Sequence, residues 1–137
     1  MGLTEDERQA VVLLRLDNAR QTFEDAKIII SNKLWKAAAN RLYYACYYAA
    51  SALIIKLGLE AKTHAGIIRL LGLHVISKNL LKKELGDMYY KLFSLRLRGD
   101  YDDWIVVNED DIIPLLEPAK QFISEIENLI NNGLPHL

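Results

Sequence analysis

Two groups of side chains carry the residue types that phosphate chemistry uses. The first is the run Leu95-Arg96-Leu97-Arg98-Gly99-Asp100-Tyr101-Asp102-Asp103. A planar guanidinium can grip two phosphate oxygens through parallel N–H donors, so Arg96 and Arg98 beside a glycine turn offer a phosphate site. Arg96 also stands four residues, one helical turn, before Asp100, where the two can pair across a helix end. The same residues would make a C-terminal cap whose cations complement the helix dipole. On residue physics alone that plainer reading takes precedence. The second group is Asn40, Arg41, Tyr44, Tyr48 and Ser51, near one face at helical spacing on an otherwise apolar segment. Polar groups there need hydrogen-bond partners, because burial without them is costly. Ties to neighbouring helices or an oligomer interface account for them first, and a ligand site using Arg41 and Tyr44 second.

Other chemistries lack their residues. There is no glycine-rich phosphate loop, no His-Glu-x-x-His and no Gly-x-Ser-x-Gly. His64, His74 and His136 fall on different expected elements with no carboxylate at ligand spacing. They read as capping or surface residues, and neither a metal site nor a cofactor is expected. Cys46 is the single cysteine, which excludes an internal disulfide. It lies in an apolar run without basic neighbours and reads as a small buried hydrophobe.

The elements that must position these residues are helical. Thr4-Glu5-Asp6-Glu7 has the form of a capping box. After it, Val12, Leu16, Ala19, Phe23, Ala26 and Ile30 recur at steps of four and three, predicting one face of a helix that ends near Ser31-Asn32. A second helix is expected from Leu34-Trp35 to Leu57, stopped by a left-handed Gly58. It is apolar almost all round and should sit at the centre with neighbours on several sides. Thr63 caps a short third helix through Ile67, Ile68, Leu70 and Leu71. Ser77-Lys78-Asn79 opens a fourth, with Leu81, Leu85, Met88, Leu92 and Leu95 on one stripe, ended or bent at Gly99. Trp104-Ile105-Val106-Val107 reads as a short extended piece in an acidic, irregular segment. Asn108 and Asp110 are candidate caps of the last helix, which carries Leu116, Ala119, Ile123, Ile126 and Ile130. Pro114 and Pro118 cannot both lie in its first turn, so an irregular start is expected. No strand alternation is sustained. The expectation is an all-α, antiparallel bundle of four long helices plus one short helix.

Bulk composition is consistent with one such domain over residues 1–137. Hydrophobic residues are 51% and charged residues 26% of the 137, with a net charge of −1. A pI near 6.3 argues against a generic basic nucleic-acid binder, whose domain usually exceeds ~9. The charge-free run Leu42–Ile55 is shorter than the roughly 20 residues a membrane span needs. With no apolar leader between Met1 and Glu7, a cytoplasmic location and no membrane partner are expected.

Three stretches together resemble the HEPN (higher eukaryotes and prokaryotes nucleotide-binding) family. They are Asn40-Arg41-Leu42-Tyr43-Tyr44-Ala45-Cys46-Tyr47-Tyr48-Ala49-Ala50, then Thr63-His64-Ala65-Gly66, then Arg96 through Asp100-Tyr101-Asp102. With Ala119 and Phe122 on the last helix, the resemblance covers nearly the whole chain. It implies a helical bundle, a homodimer, and pairing with a small nucleotidyltransferase in a toxin–antitoxin-type system. It further implies a nucleotide or RNA ligand at a dimer cleft. Active members are metal-independent ribonucleases with an arginine followed, after four to six residues, by a histidine. Arg96 matches that arginine, but Tyr101 stands where the histidine is usual and Leu97 replaces the polar residue after the arginine. The resemblance thus points to Arg96, Asp100 and Tyr101 as the catalytic positions, with Arg98, Arg41 and Tyr44 on phosphate. Tyrosine, with an ordinary pKa of about 10, is a poor base at neutral pH. A binding module therefore ranks ahead of an active ribonuclease, and a purely structural dimer third.

Overall fold

The computed structural model describes residues 2–134 except 102–105, and only the backbone at Asp100 and Tyr101. Trp104, Ile105 and His136 lie outside the described residues. Five α-helices follow in order: α1 (Glu5–Ser31), α2 (Trp35–Lys56), α3 (His64–Leu71), α4 (Lys83–Tyr101) and α5 (Glu109–Asn131). A π-helical turn, Gly72–Ile76, extends α3. Among the described residues there is no strand, and the fold is all-α. No helix among them is long and apolar enough to cross a membrane.

Local chemistry sets most of the boundaries. Thr4 and Glu7 form the reciprocal capping box at the start of α1. The Thr63 hydroxyl accepts from the Gly66 amide at 2.9 Å to open α3, and Asn108 and Asp111 form a second box at α5. Lys33, Gly58 and Asn79 have positive φ (59°, 77° and 60°) and end three helical segments in the same way. In each case the next residue, Leu34, Leu59 or Leu80, donates its amide back to a carbonyl five residues earlier, on Ile29, Ile54 or Val75. This is the Schellman arrangement, which satisfies carbonyls that a helix end would otherwise leave bare.

Three expectations are corrected. Ser77 does not open α4. Its hydroxyl donates back to the Leu73 carbonyl at 2.6 Å and so closes the π turn. The chain then reverses at Asn79, and α4 begins at Lys83. Gly99 does not end α4, which runs on to Tyr101. It is buried, and the stem of Lys36 covers it at ordinary van der Waals distance from where a β-carbon would stand, 3.5 Å to Cγ. Pro114 and Pro118 both lie inside a continuous α5. Each removes one backbone donor, but the buried face of Ile112, Leu115, Ala119, Phe122, Ile123 and Ile126 holds the helix in place.

As expected, α2 is the central rod, in contact with α1, α3, α4 and α5. Its buried alanines at 38, 39, 45, 49, 50 and 52 leave little side-chain bulk between axes. Neighbouring helices can therefore approach closely. The buried stripe of α1 (Val12, Leu16, Ala19, Phe23 and Ala26) packs along it. Buried residues from all five helices join in one core. Tyr43, Tyr44 and Tyr47 of α2 meet His64 of α3, and Tyr43 and Tyr44 also meet α4, whereas Tyr48 lies near Arg15 of α1.

Candidate functional site

Four tyrosines of α2 form two rows at i, i+4 spacing, Tyr43 with Tyr47 and Tyr44 with Tyr48. Tyr43 is fully buried, and its ring lies 5.1 Å from that of Tyr44, 6.1 Å from Tyr47 and 5.9 Å from Tyr89 of α4. The other three α2 tyrosines are half-buried. Such a cluster offers several electron-rich ring faces to cations.

Arg96, on α4, uses two of them. Its guanidinium carbon is 5.4 Å from the Tyr43 ring centre and 5.3 Å from that of Tyr44. Its Nη2 donates to the Tyr44 hydroxyl at 3.1 Å. Arg41, on α2, also approaches Tyr44, with its guanidinium carbon 5.3 Å from the ring centre. Its Nε and Nη2 both donate to Oδ1 of Asn40, at 3.1 and 2.7 Å. Tyr44 is thus the meeting point of two guanidinium groups from different helices.

Of the residues expected at a site, the structure brings Arg41, Tyr44 and Arg96 together. Arg98 is exposed, and two helical residues rotate it by about 200° from Arg96. The expected glycine turn is helix, so the two arginines do not form one clamp within a chain. The side chains of Asp100 and Tyr101, including the expected pairing of Asp100 with Arg96, lie outside the described residues. Among the described residues, no three histidine, cysteine, aspartate or glutamate side chains cluster as metal ligands would. Cys46 is fully buried in α2, and burial pushes its thiol pKa well up.

His64 is the member that sequence reasoning passed over as a surface or capping histidine. As the first residue of α3 it folds back onto α2, and its Nδ1 is 2.7 Å from the Tyr43 hydroxyl. The imidazole stacks on Tyr47 at 4.4 Å between centres and 20° between planes, and meets Tyr44 edge-on at 5.8 Å. Its pKa is lowered, first by burial and second by the charge of Arg96. Burial also pushes the Tyr43 phenol up, so that hydroxyl stays protonated at neutral pH. A usable signal was present: the seven residues between α2 and α3 can reach back about 23 Å, enough to return along two turns of α2. Nothing in the sequence, however, says which face of α2 the chain returns to.

The chain has clear relatives. A family model for the HEPN domain matches residues 12–129. A UPF0332 protein of Thermotoga maritima is 30% identical over 127 residues, 93% of this chain and 96% of that protein. A UPF0332 protein of Archaeoglobus fulgidus is 32% identical over 126 residues, 88% of this chain and 95% of the other. A Methanocaldococcus jannaschii protein bearing the name "Putative toxin MJ0605" is 29% identical over 132 residues, 96% of this chain and 97% of that one.

Proposed function

The chain belongs to the HEPN domain family, and on that premise we propose that it is the toxin-like half of a two-protein system. In this reading it acts as a homodimer, takes a small nucleotidyltransferase as its partner, and binds the phosphate of a nucleotide or of RNA. A relative carrying the word toxin in its name, matched over nearly its full length, supports the toxin-like part. The observation that carries the phosphate part is the convergence of Arg41 and Arg96 on Tyr44, each guanidinium carbon 5.3 Å from the ring centre. Guanidinium groups suit the task because they keep their charge and offer paired donors to phosphate oxygens. A net charge of −1 fits a small local site better than a broad RNA-binding face.

Titration of a fluorescent single-stranded RNA and of a nucleoside monophosphate into the purified chain tests this. Arg41→Ala and Arg96→Ala should each weaken binding, and removing one guanidinium from the phosphate should reduce the salt slope by about 0.7. Arg98→Ala should weaken it less. A wild-type chain that binds neither probe at low salt sinks the phosphate reading. Light scattering should give twice 15.7 kDa, and a mass of one chain would refute the homodimer. Co-expression with a nucleotidyltransferase encoded alongside should yield a complex, and recovery of the chain alone would refute the partner.

A further inference from the structure

A separate cleft of about 510 Å³ opens between the first half of α1, the second half of α2 and the turn that leads into α3. Polar side chains lining it have donors to spare. Ser51 is only 5% exposed. Its hydroxyl has no hydrogen-bond partner among the described residues, yet it is not sealed from solvent, so it faces the open space of the cleft. Arg15 is half-buried along the same cleft, with its guanidinium carbon 5.9 Å from the centre of the Tyr48 ring. It makes no hydrogen bond or ion pair among the described residues, so its forked donors remain available.

Arg8 stands two turns before Arg15 on α1 and lines the cleft as well. Its Nη1 donates to the Ile55 carbonyl at 3.3 Å, near the end of α2, where a cation complements the helix dipole. Gly58 leaves it room: a β-carbon there would stand 3.1 Å from Nη1, and the φ of 77° already favours glycine. Nε of Arg8 is buried without a hydrogen-bond partner, and the exposed Glu5 carboxylate, 3.9 Å away, is beyond hydrogen-bond reach. Closing the end of α2 accounts for Arg8. It does not account for Arg15 or for the buried hydroxyl of Ser51.

We propose that this cleft binds a small organic acid, one carboxylate carried on an apolar body, with Arg15 and Ser51 on the carboxylate and Arg8 beside it. The volume lies within the roughly 300–1,000 Å³ usual for small-molecule sites. The parallel N–H donors of one guanidinium match the two oxygens of a carboxylate. Ile54, Leu59 and Ile67 supply apolar wall for the rest of the molecule, and Tyr47 adds a ring. A single negative charge follows from the opposing groups. Glu7 and Glu60 also line the cleft, so its two cations are balanced by two carboxylates, and a phosphate dianion would need more positive charge than is present. Arg41, Tyr44 and Arg96 do not line this cleft, so the proposal stands independently of the phosphate reading.

The probe is octanoate, with octanamide as its uncharged counterpart and inorganic phosphate as a second anion. Each is titrated into the full chain and followed by calorimetry and by proton–nitrogen NMR. Octanoate should bind with a Kd below about 10 mM, the affinity that about ten non-hydrogen atoms reach at ordinary ligand efficiency. It should shift the amides of Ser51 and Gly58 and the ring protons of Tyr47 most. Octanamide and phosphate should each bind at least about tenfold more weakly, as should octanoate to Arg15→Gln, because a hydrogen bond to a charged group is worth that factor. Ser51→Ala, which leaves both cations in place, should weaken octanoate about threefold or more. Neither variant touches the hold of Arg8 on α2, so both should keep the wild-type urea midpoint. Absence of octanoate binding, or shifts centred away from Ser51 and Gly58, overturns the site. Equal affinity for octanamide overturns the carboxylate, and phosphate binding more tightly than octanoate at the same amides does so too. Wild-type affinity in both Arg15→Gln and Ser51→Ala removes the two residues that carry the inference.

Discussion

Tyr43→Phe isolates one atom of the site. The Tyr43 ring is fully buried and meets Tyr44, Tyr47, His64, Tyr89 and Phe93, with centroids at 5.1, 6.1, 5.7, 5.9 and 5.8 Å, respectively. The Arg96 guanidinium sits 5.4 Å from its centre. Phenylalanine keeps all of these ring contacts. It removes only the hydroxyl that meets His64 Nδ1 at 2.7 Å. A hydrogen bond exchanged for water contributes about 0.5–1.5 kcal/mol net, and half-buried His64 can take water in place of the phenol. The expected loss is therefore about 1 kcal/mol. Tyr43→Ala also removes the ring and leaves a cavity, which for a buried aromatic costs about 3–5 kcal/mol. Unfolding entropy scaled to this chain length makes 1 kcal/mol worth about 3–4 °C in Tm. Urea denaturation followed by circular dichroism measures both variants against wild type, provided the slope with urea is unchanged. A phenylalanine variant as stable as wild type would refute the bond as a tie between α2 and α3. A loss of about 3 kcal/mol or more would refute the assignment of the stability to the ring.

Four further outcomes are expected. Arg96→Gln removes the charge that opposes protonation of His64, so the imidazole pKa followed by proton NMR should rise while staying below its ordinary value, because burial persists. An unchanged value would refute the proximity of the two groups. Because the folded state lowers that pKa, the unfolded chain takes up the proton first. The His64 contribution to stability is thus constant above the ordinary histidine range and declines as pH falls from there to the folded value; urea midpoints that rise over that interval would contradict it. Cys46 should react with an aromatic disulfide reagent only as fast as the protein opens, given its complete burial and raised thiol pKa, and rapid labelling of native protein would contradict that. Phe122→Ala, in the core 5.1 Å from Tyr89, should cost about 3–5 kcal/mol in urea denaturation. A cost below about 1 kcal/mol would show that α5 is not packed as described.

Helix identity and facing were legible because their signals are local. Thr4, Thr63 and Asn108 cap within three residues of themselves, Gly58 needs only its own left-handed φ, and the α1 stripe repeats within a turn. Where local preference and packing disagreed, packing prevailed. Gly99 lies inside α4 with the Lys36 stem over it, and the two prolines of α5 are carried by its buried face. Ser77 had two hydrogen-bonding uses, and the carbonyl of Leu73 took its hydroxyl. The site was legible in the same measure. Arg96, Arg41 and Tyr44 could be named from residue type and spacing, whereas Arg98 drew attention by nearness in sequence and points elsewhere.

The sequence by itself determined an all-α chain, the helix ends that carry a local cap and the apolar faces that must meet, since caps and periodicity act over one or two turns, but not the ends of α4. The meeting of His64 with Tyr43 and of Arg96 with Tyr44 belongs to the tertiary structure alone. Those pairs are 21 and 52 residues apart. Helical spacing fixes which way a side chain leaves its own axis, but not which neighbouring helix it will find there. That choice follows from how α3 and α4 pack against the small-residue surface of α2, a property of the whole core.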